Sequence, residues 1–447
     1  MSQLLEQVAR ILPTRLDGRV ARTCGATVAV ADFPAAIGSM VQIDRAAGEP
    51  LLAEVIGFRD AHTLLLPLAD LEGVRRGDRV RLLRTSRTVP VGPELLGRVI
   101  DALGRPLDAR PAPALLHRAW LDRRPPPPGE RPRIDQPLAT GIRAIDALLT
   151  CGQGQRIGVF AGSGVGKSIA LGMMARYTSA DVSVVALVGE RGRELNDFVQ
   201  HDLGPQGLKR SVVVVATGDE PPVMRVRAAL VATAVAEFFR DQGRNVLLIM
   251  DSLTRFALAQ REIGLAAGEP PTTRGYTPSV FAWLSRLVER AGRSRRGSIT
   301  GVYSVLVEAD DPNEPIADAV RGLLDGHIWL SRKLASRGHY PAIDVLESLS
   351  RLMHVVAPPE QRQHAQRVRE WLSAYRDHED LISIGAYRRG SHAAVDTALA
   401  LRDELDRFLR QPMQESCTLE AARRALTQLA TAGAVAVRPA SAAEASA

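Results

Sequence analysis

The chain has 447 residues, too many for one compact core, so two or three domains are expected. It is 45% hydrophobic and 24% charged, a soluble globular profile, and no apolar run approaches the ~20 residues that span a bilayer. The net charge of +7 suits nucleic acid, anionic lipid or an acidic partner, but the arginines are dispersed and aromatics are only 4%, so no nucleic-acid partner is expected.

Residues 1–17 open the chain as an amphipathic helix, with Leu4, Leu5, Val8, Ile11 and Leu12 at helical spacing. They lack the basic and apolar regions of a secretory signal. The helix packs on its own protein or docks on a protein partner. Cys24, Cys151 and Cys417 are scattered, with no metal-ligand spacing, which suits a reducing compartment.

Residues 18–90 read as a small β-barrel, with strands at Thr27–Ala31, 40–43, 51–58, 63–66 and 80–83 broken by glycines. Residues 91–357 begin with a proline-dense connector, including PPPP at 125–128, and continue as strands alternating with helices. Strands are expected at 156–160, 182–188, 212–216 and 245–250, with helices at 168–177 and 224–240. This α/β order predicts a mostly parallel sheet covered on both faces. Residues 358–447 are helical, over 361–374, 393–408 and 418–432, and end in a frayed tail.

The stretch AGSGVGKS, 161–168, lies between a strand and a helix. Its glycines let successive N–H groups wrap an anion at a helix N-terminus. Only three of the 57 Lys and Arg residues are lysine, yet Lys167 stands in this loop. An ammonium is a compact point charge that reaches across the loop mouth, where a planar guanidinium fits differently. Gly162, Ser163, Gly164, Val165, Gly166, Lys167, Ser168 and Ile169 are therefore assigned to nucleotide phosphates, with the Ser168 hydroxyl for Mg²⁺. Ala161 replaces the first glycine of the strict pattern, a mild departure.

The strand 245–250 ends in Asp251, placed either to reach Mg²⁺ through water or to cap the next helix. The strand 182–188 ends in GERGREL, where Glu190 could polarise a water, with Arg191 beside it. The alternative is a solvated charge run. Arg351 follows another apolar segment, as a phosphoryl-stabilising arginine or a structural ion pair.

The loop AGSGVGKS resembles, together with LVGERGREL, LLIMDSLTRFALAQREIGLAAGEPP, RGYTPSVFAWLSRLVERAG, EADDPNEPIADAVRGLLDGHIWLSR and GHYPAIDVLESLSRLM, the type III protein-export ATPases of flagella and injectisomes, relatives of the catalytic subunits of rotary ATP synthases. LLGRVIDALGRPLD and EDLISIGAY extend the likeness; LLGRVIDALGRPLD leans flagellar and DVLESLSR leans injectisome, and the reading taken is flagellar. The resemblance implies a RecA-like P-loop core with an N-terminal β-barrel and a C-terminal helical domain, in a homohexamer that hydrolyses ATP with Mg²⁺ at sites between subunits. It implies Lys167 and Ser168 on phosphates and Mg²⁺, Asp251 as strand-end acid and Glu190 as catalytic carboxylate. Arg191 belongs near the γ-phosphate, Arg351 is the finger for the neighbour's site, and Tyr340 packs on adenine or is a half-buried core residue. It implies a stator-like regulator on the N-terminal region and export chaperones with cargo on the C-terminal domain. The location implied is cytoplasmic, peripheral at the inner face of the bacterial membrane. The rivals are a rotary ATPase catalytic subunit and an RNA-stimulated hexameric translocase; the second would need stacking aromatics, and residues 18–90 offer only Phe33 and Phe58.

Overall fold

The computed structural model describes residues 16–46, 48–307 and 314–436. Of the N-terminal helix expected over 1–17, residues 1–15 lie outside the described residues, and Asp17 already belongs to a strand. The tail beyond 436 also lies outside them, as does 308–313 within the EADDPNEP motif.

Six strands close into a barrel in the order Asp17–Cys24, Thr27–Ala31, His62–Pro67, Leu51–Arg59, Met40–Asp44 and Arg79–Arg84, the last pairing back onto the first. Five of them are the glycine-bounded apolar runs of the sequence. The sixth, DGRVARTC, buries only Val20, so it carries no alternation to read. It is nonetheless the strand that closes the barrel and removes both sheet edges. Val28, Val30, Phe33, Val41, Ile43, Val55 and Leu65 fill the interior.

The central sheet runs Ile343–Ser350, Gly326–Leu330, Arg156–Ala161, Ser298–Leu306, Asn245–Asp251, Val182–Glu190, Ser211–Thr217, Arg98–Asp101. All neighbours on this path are parallel except Ile343–Ser350, which runs antiparallel at one edge. The long helices Pro222–Asp241, Leu253–Ala267 and Pro278–Glu289 cover one face. Lys167–Tyr177 and the C-terminal helices cover the other. The inner strands are buried on both faces, which explains their continuous valine, leucine and isoleucine runs. Parallel alignment brings the carboxyl ends of Arg156–Ala161, Asn245–Asp251 and Val182–Glu190 to one edge, where ligands bind in such sheets.

Two buried glutamines lock the C-terminal helices to the core. Gln361 Nε2 donates to Asp146 O and Ala147 O, each at 3.0 Å, and to Thr150 Oγ1 at 2.8 Å. Gln411 accepts from Arg143 N and donates to Gly141 O, both at 2.8 Å. The helix expected over 393–408 is two, Ala393–Ala400 and Arg402–Leu409. It breaks at Leu401, whose backbone leaves the helical region (φ −101°, ψ 15°) while its side chain stays buried.

Candidate active site

The strand Arg156–Ala161 delivers the chain into the glycine loop, and the helix Lys167–Tyr177 starts inside it. Gly164 and Gly166 hold φ of +78° and +88°, left-handed values that a side chain would strain. The loop therefore curls tightly enough to present N–H groups inward at a helix N-terminus. Arg332 Nη1 braces it from outside with a 3.2 Å bond to Ser163 O. Ser163, Gly164, Ser168 and Ile169 are exposed on the outer side of the loop, where a ligand can reach them.

Lys167 points across the loop mouth. Its Nζ lies 2.5 Å from Asp251 Oδ1 and 3.8 Å from Glu190 Oε1. Asp251 is 2% exposed and accepts from Ser304 Oγ at 2.5 Å. The helix after it is capped by Ser252, whose side chain accepts from Arg255 N, so Asp251 is not spent as the cap. Its carboxylate stays on the ammonium.

Glu190 owes its direction to Gly189. The register between Val182–Glu190 and Ser211–Thr217 shifts between Val188 and Glu190, and Gly189 adopts φ +73° in that bulge. A bulge re-aims the side chain that follows it. Glu190 turns inward, and its Oε1 is buried without a hydrogen-bond partner beside Lys167. Burial, with the Asp251 charge adding to it, raises its pKa to about 7, and the Lys167 ammonium opposes the shift. Arg191 and Arg193 turn outward, 85% and 92% exposed, toward Glu194 and Asp197 on their own helix. The GERGREL run thus splits into one inward carboxylate and a solvated surface.

Tyr340 lies over the loop. A Cβ on Gly166 would stand 3.4 Å from its ring. Tyr340 is 45% exposed and borders a cavity of about 360 Å³ shared with Ile169, Met173 and Met413. Arg351 is the one predicted residue far from this group. It follows Ser350, which pairs with Gly326, whereas Leu330 on the same strand pairs with Ala161 at the loop. Four residues of strand put it roughly 13 Å below the loop's level, at the opposite end of the sheet.

The residues fit a Mg²⁺–nucleotide. An orphaned buried carboxylate oxygen faces the lysine, and the Ser168 hydroxyl is open. Among the described residues no three His, Cys, Asp or Glu form a metal cage. Mg²⁺ suits such a site, because it takes most of its shell from phosphate and water. Sequence reasoning does not reach Ser304, which lies inside the strand SITGVYSVL with no motif to mark it. It also misses the cavity wall from Gln411 to Met413, about 70 residues past Tyr340 in the chain and joined to it only by folding.

The family model for the nucleotide-binding domain of the ATP synthase alpha/beta family matches residues 141–350, and that for the T3SS EscN ATPase C-terminal domain matches 357–428. The flagellum-specific ATP synthase of Bacillus subtilis is 51% identical over 414 residues, 92% of this chain and 94% of that one. The chain belongs to the family of flagellar and type III secretion ATPases. The type 3 secretion system ATPase of Xanthomonas euvesicatoria is 48% identical, over 95% of this chain and 97% of its own. Among solved structures, the assembled ATPase EscN of the enteropathogenic E. coli type III secretion system superposes with a TM-score of 0.88 at 44% identity, covering 92% of this chain and 100% of that one. EscN has also been solved in complex with its central stalk EscO, and that chain matches with a TM-score of 0.86. The RecA-like core, closed barrel and C-terminal helices described above are those of the family. No helix among the described residues is long and apolar enough to cross a membrane.

Proposed function

We propose that the chain hydrolyses Mg²⁺-ATP at sites between the subunits of a homohexameric ring and so powers protein export through a flagellar-type or injectisome-type apparatus. One observation carries the shared site. Lys167, Glu190 and Asp251 converge at one end of the sheet, while Arg351 stands at the other end of the same chain. An arginine so placed serves a neighbour's phosphoryl group rather than its own.

Lys167 and the loop N–H groups hold the β- and γ-phosphates. Bound Mg²⁺, held by Ser168 and by Asp251 through water, would neutralise phosphate charge. Glu190 orients the attacking water and takes its proton on a carboxylate whose pKa near neutrality matches that task. Asp251 anchors the ammonium until phosphate competes for it. Arg351 of one subunit stabilises charge on the γ-phosphoryl group in the next, and Arg191 stands at the outer side of that group. Tyr340 packs on adenine.

Residues 1–17 meet a stator-like regulator, 18–90 form the barrel domain, 91–357 the ATPase domain and 358–447 the helical domain that receives chaperones and cargo. The ring works at the cytoplasmic face of the bacterial membrane. The test is ATP turnover against protein concentration, with and without single-stranded RNA. The reading requires activity per subunit to rise with concentration and RNA to do nothing. RNA-driven, concentration-independent turnover would contradict it.

A further inference from the structure

Arg351 is exposed, and among the described residues its guanidinium has no hydrogen-bond or ion-pair partner. Its direction is therefore set by its main chain. The Arg351 N–H donates to Asp325 O at 3.0 Å, beyond the last paired residues, Gly326 and Ser350, of two antiparallel strands. The same carbonyl oxygen accepts from Gln155 Nε2 at 2.9 Å. Gln155 Nε2 also donates to Ser350 Oγ at 3.1 Å. At the other end of that amide, Oε1 accepts from Gly152 N at 2.8 Å, which fixes which end faces Asp325.

Gln155 is wholly buried. Burying an amide is unfavourable unless its groups are bonded, so packing alone gives no reason for one here. Both of its donors are used beside Arg351: one on the residue before it in the chain, the other on the carbonyl that holds its N–H. Asp325 is in turn fastened to the residue after Gln155. Its N–H donates to Arg156 O at 2.8 Å, and its Oδ2 accepts from Arg156 N at 3.0 Å. Arg156 begins the strand that ends at Ala161, where the phosphate loop opens. One strand thus carries a phosphate loop at its head and fixes Arg351 at its foot.

We propose that Gln155 is a positioning residue for Arg351, acting through Ser350 and Asp325 O, so that it serves the neighbouring subunit's site and not its own. This rests on the reading of Arg351 as the arginine given to the next site. Loss of the amide lets the main chain at 350–351 shift, and a small misplacement of a charge-stabilising group is costly in the transition state.

The experiment uses the full chain and Gln155→Ala. The expected result is a fall in kcat of about ten- to a hundredfold, with KM for ATP and Kd for ADP within about twofold of wild type. The deciding step mixes Gln155→Ala with Lys167→Ala at equal amounts. About a quarter of the interfaces then join an intact phosphate loop to an Arg351 held by an intact Gln155. Turnover of the mixture should therefore rise at least about twofold above that of Gln155→Ala alone at the same total concentration. A defect confined to the variant's own site would instead bring turnover down to about half. That fall would overturn the proposal, as would a wild-type kcat for Gln155→Ala.

Gln155→Ala also strips an acceptor from Gly152 N, so Ser350→Ala is the second variant. It removes the hydroxyl next to Arg351, leaves Gly152 paired, and should show the same fall in kcat and the same rise on mixing. If Gln155→Ala does not assemble, Ser350→Ala decides alone by the same two readouts. Failure of the underlying reading is distinguishable, because Arg351→Ala itself would then turn over ATP at the wild-type rate.

Discussion

Lys167 Nζ and Asp251 Oδ1 stand 2.5 Å apart, and the same oxygen accepts from Ser304 Oγ at 2.5 Å. A phosphate-binding ammonium is thereby parked on a carboxylate that the strand end fixes and a neighbouring strand braces. The gap to Glu190 Oε1, 3.8 Å, is narrow enough for a point charge and too tight for a planar guanidinium in the same place.

Lys167→Ala and Lys167→Arg are both expected to lose ATP turnover by about a hundredfold or more, because neither places a compact donor where charge develops on the phosphates. Phosphate release measures this. Retention of near-normal rates by Lys167→Arg would show that charge alone suffices there.

Glu190→Gln should abolish turnover and yet raise thermal stability. The folded-state pKa of Glu190 is raised to about 7 by burial, reinforced by Asp251. In the unfolded chain the carboxyl ionises nearer 4.5, so wild-type stability is full below that pH and falls as pH rises toward 7. Glutamine does not undergo that loss. Melting at pH 8 should favour the variant by about 1–3 kcal/mol, and the difference should shrink at pH 5. A variant less stable at pH 8 would contradict the burial argument.

Ser304→Ala should cost roughly tenfold in turnover by loosening Asp251, as removal of an orienting partner does. The expected signature is a fall in kcat with nucleotide binding nearly unchanged. An unaltered kcat would show that Asp251 holds its position without the serine.

Gln361→Ala is expected to destabilise the chain by about 1–3 kcal/mol, since it strips a donor from Asp146 O, Ala147 O and Thr150 Oγ1 in a buried place and an acceptor from Arg423 Nε. Urea unfolding measures it. A midpoint equal to wild type would mean water replaces the amide.

The phosphate loop was legible because its chemistry is local: glycines, a lysine and a serine within a few residues of one strand. Asp251 and Glu190 were legible as acids at the ends of apolar strands, where parallel order makes them converge. The Gly189 bulge that turns Glu190 in and leaves Arg191 out has a faint sequence signal, a glycine at a strand end. Ser304, Gln411 and the barrel strand Asp17–Cys24 had none. The first two act through partners about 50 and 70 residues away in the chain, and the third is too polar to alternate.

The most direct test of the shared site mixes two inactive variants, Lys167→Ala and Arg351→Ala. If sites lie between subunits, a mixed ring contains interfaces where one subunit supplies Lys167 and its neighbour supplies Arg351. Random mixing at equal amounts should restore turnover at roughly a quarter of the interfaces. The account predicts that recovery, with each variant alone inactive. A mixture as dead as its components, or an Arg351→Ala protein that hydrolyses ATP at the wild-type rate, would contradict it.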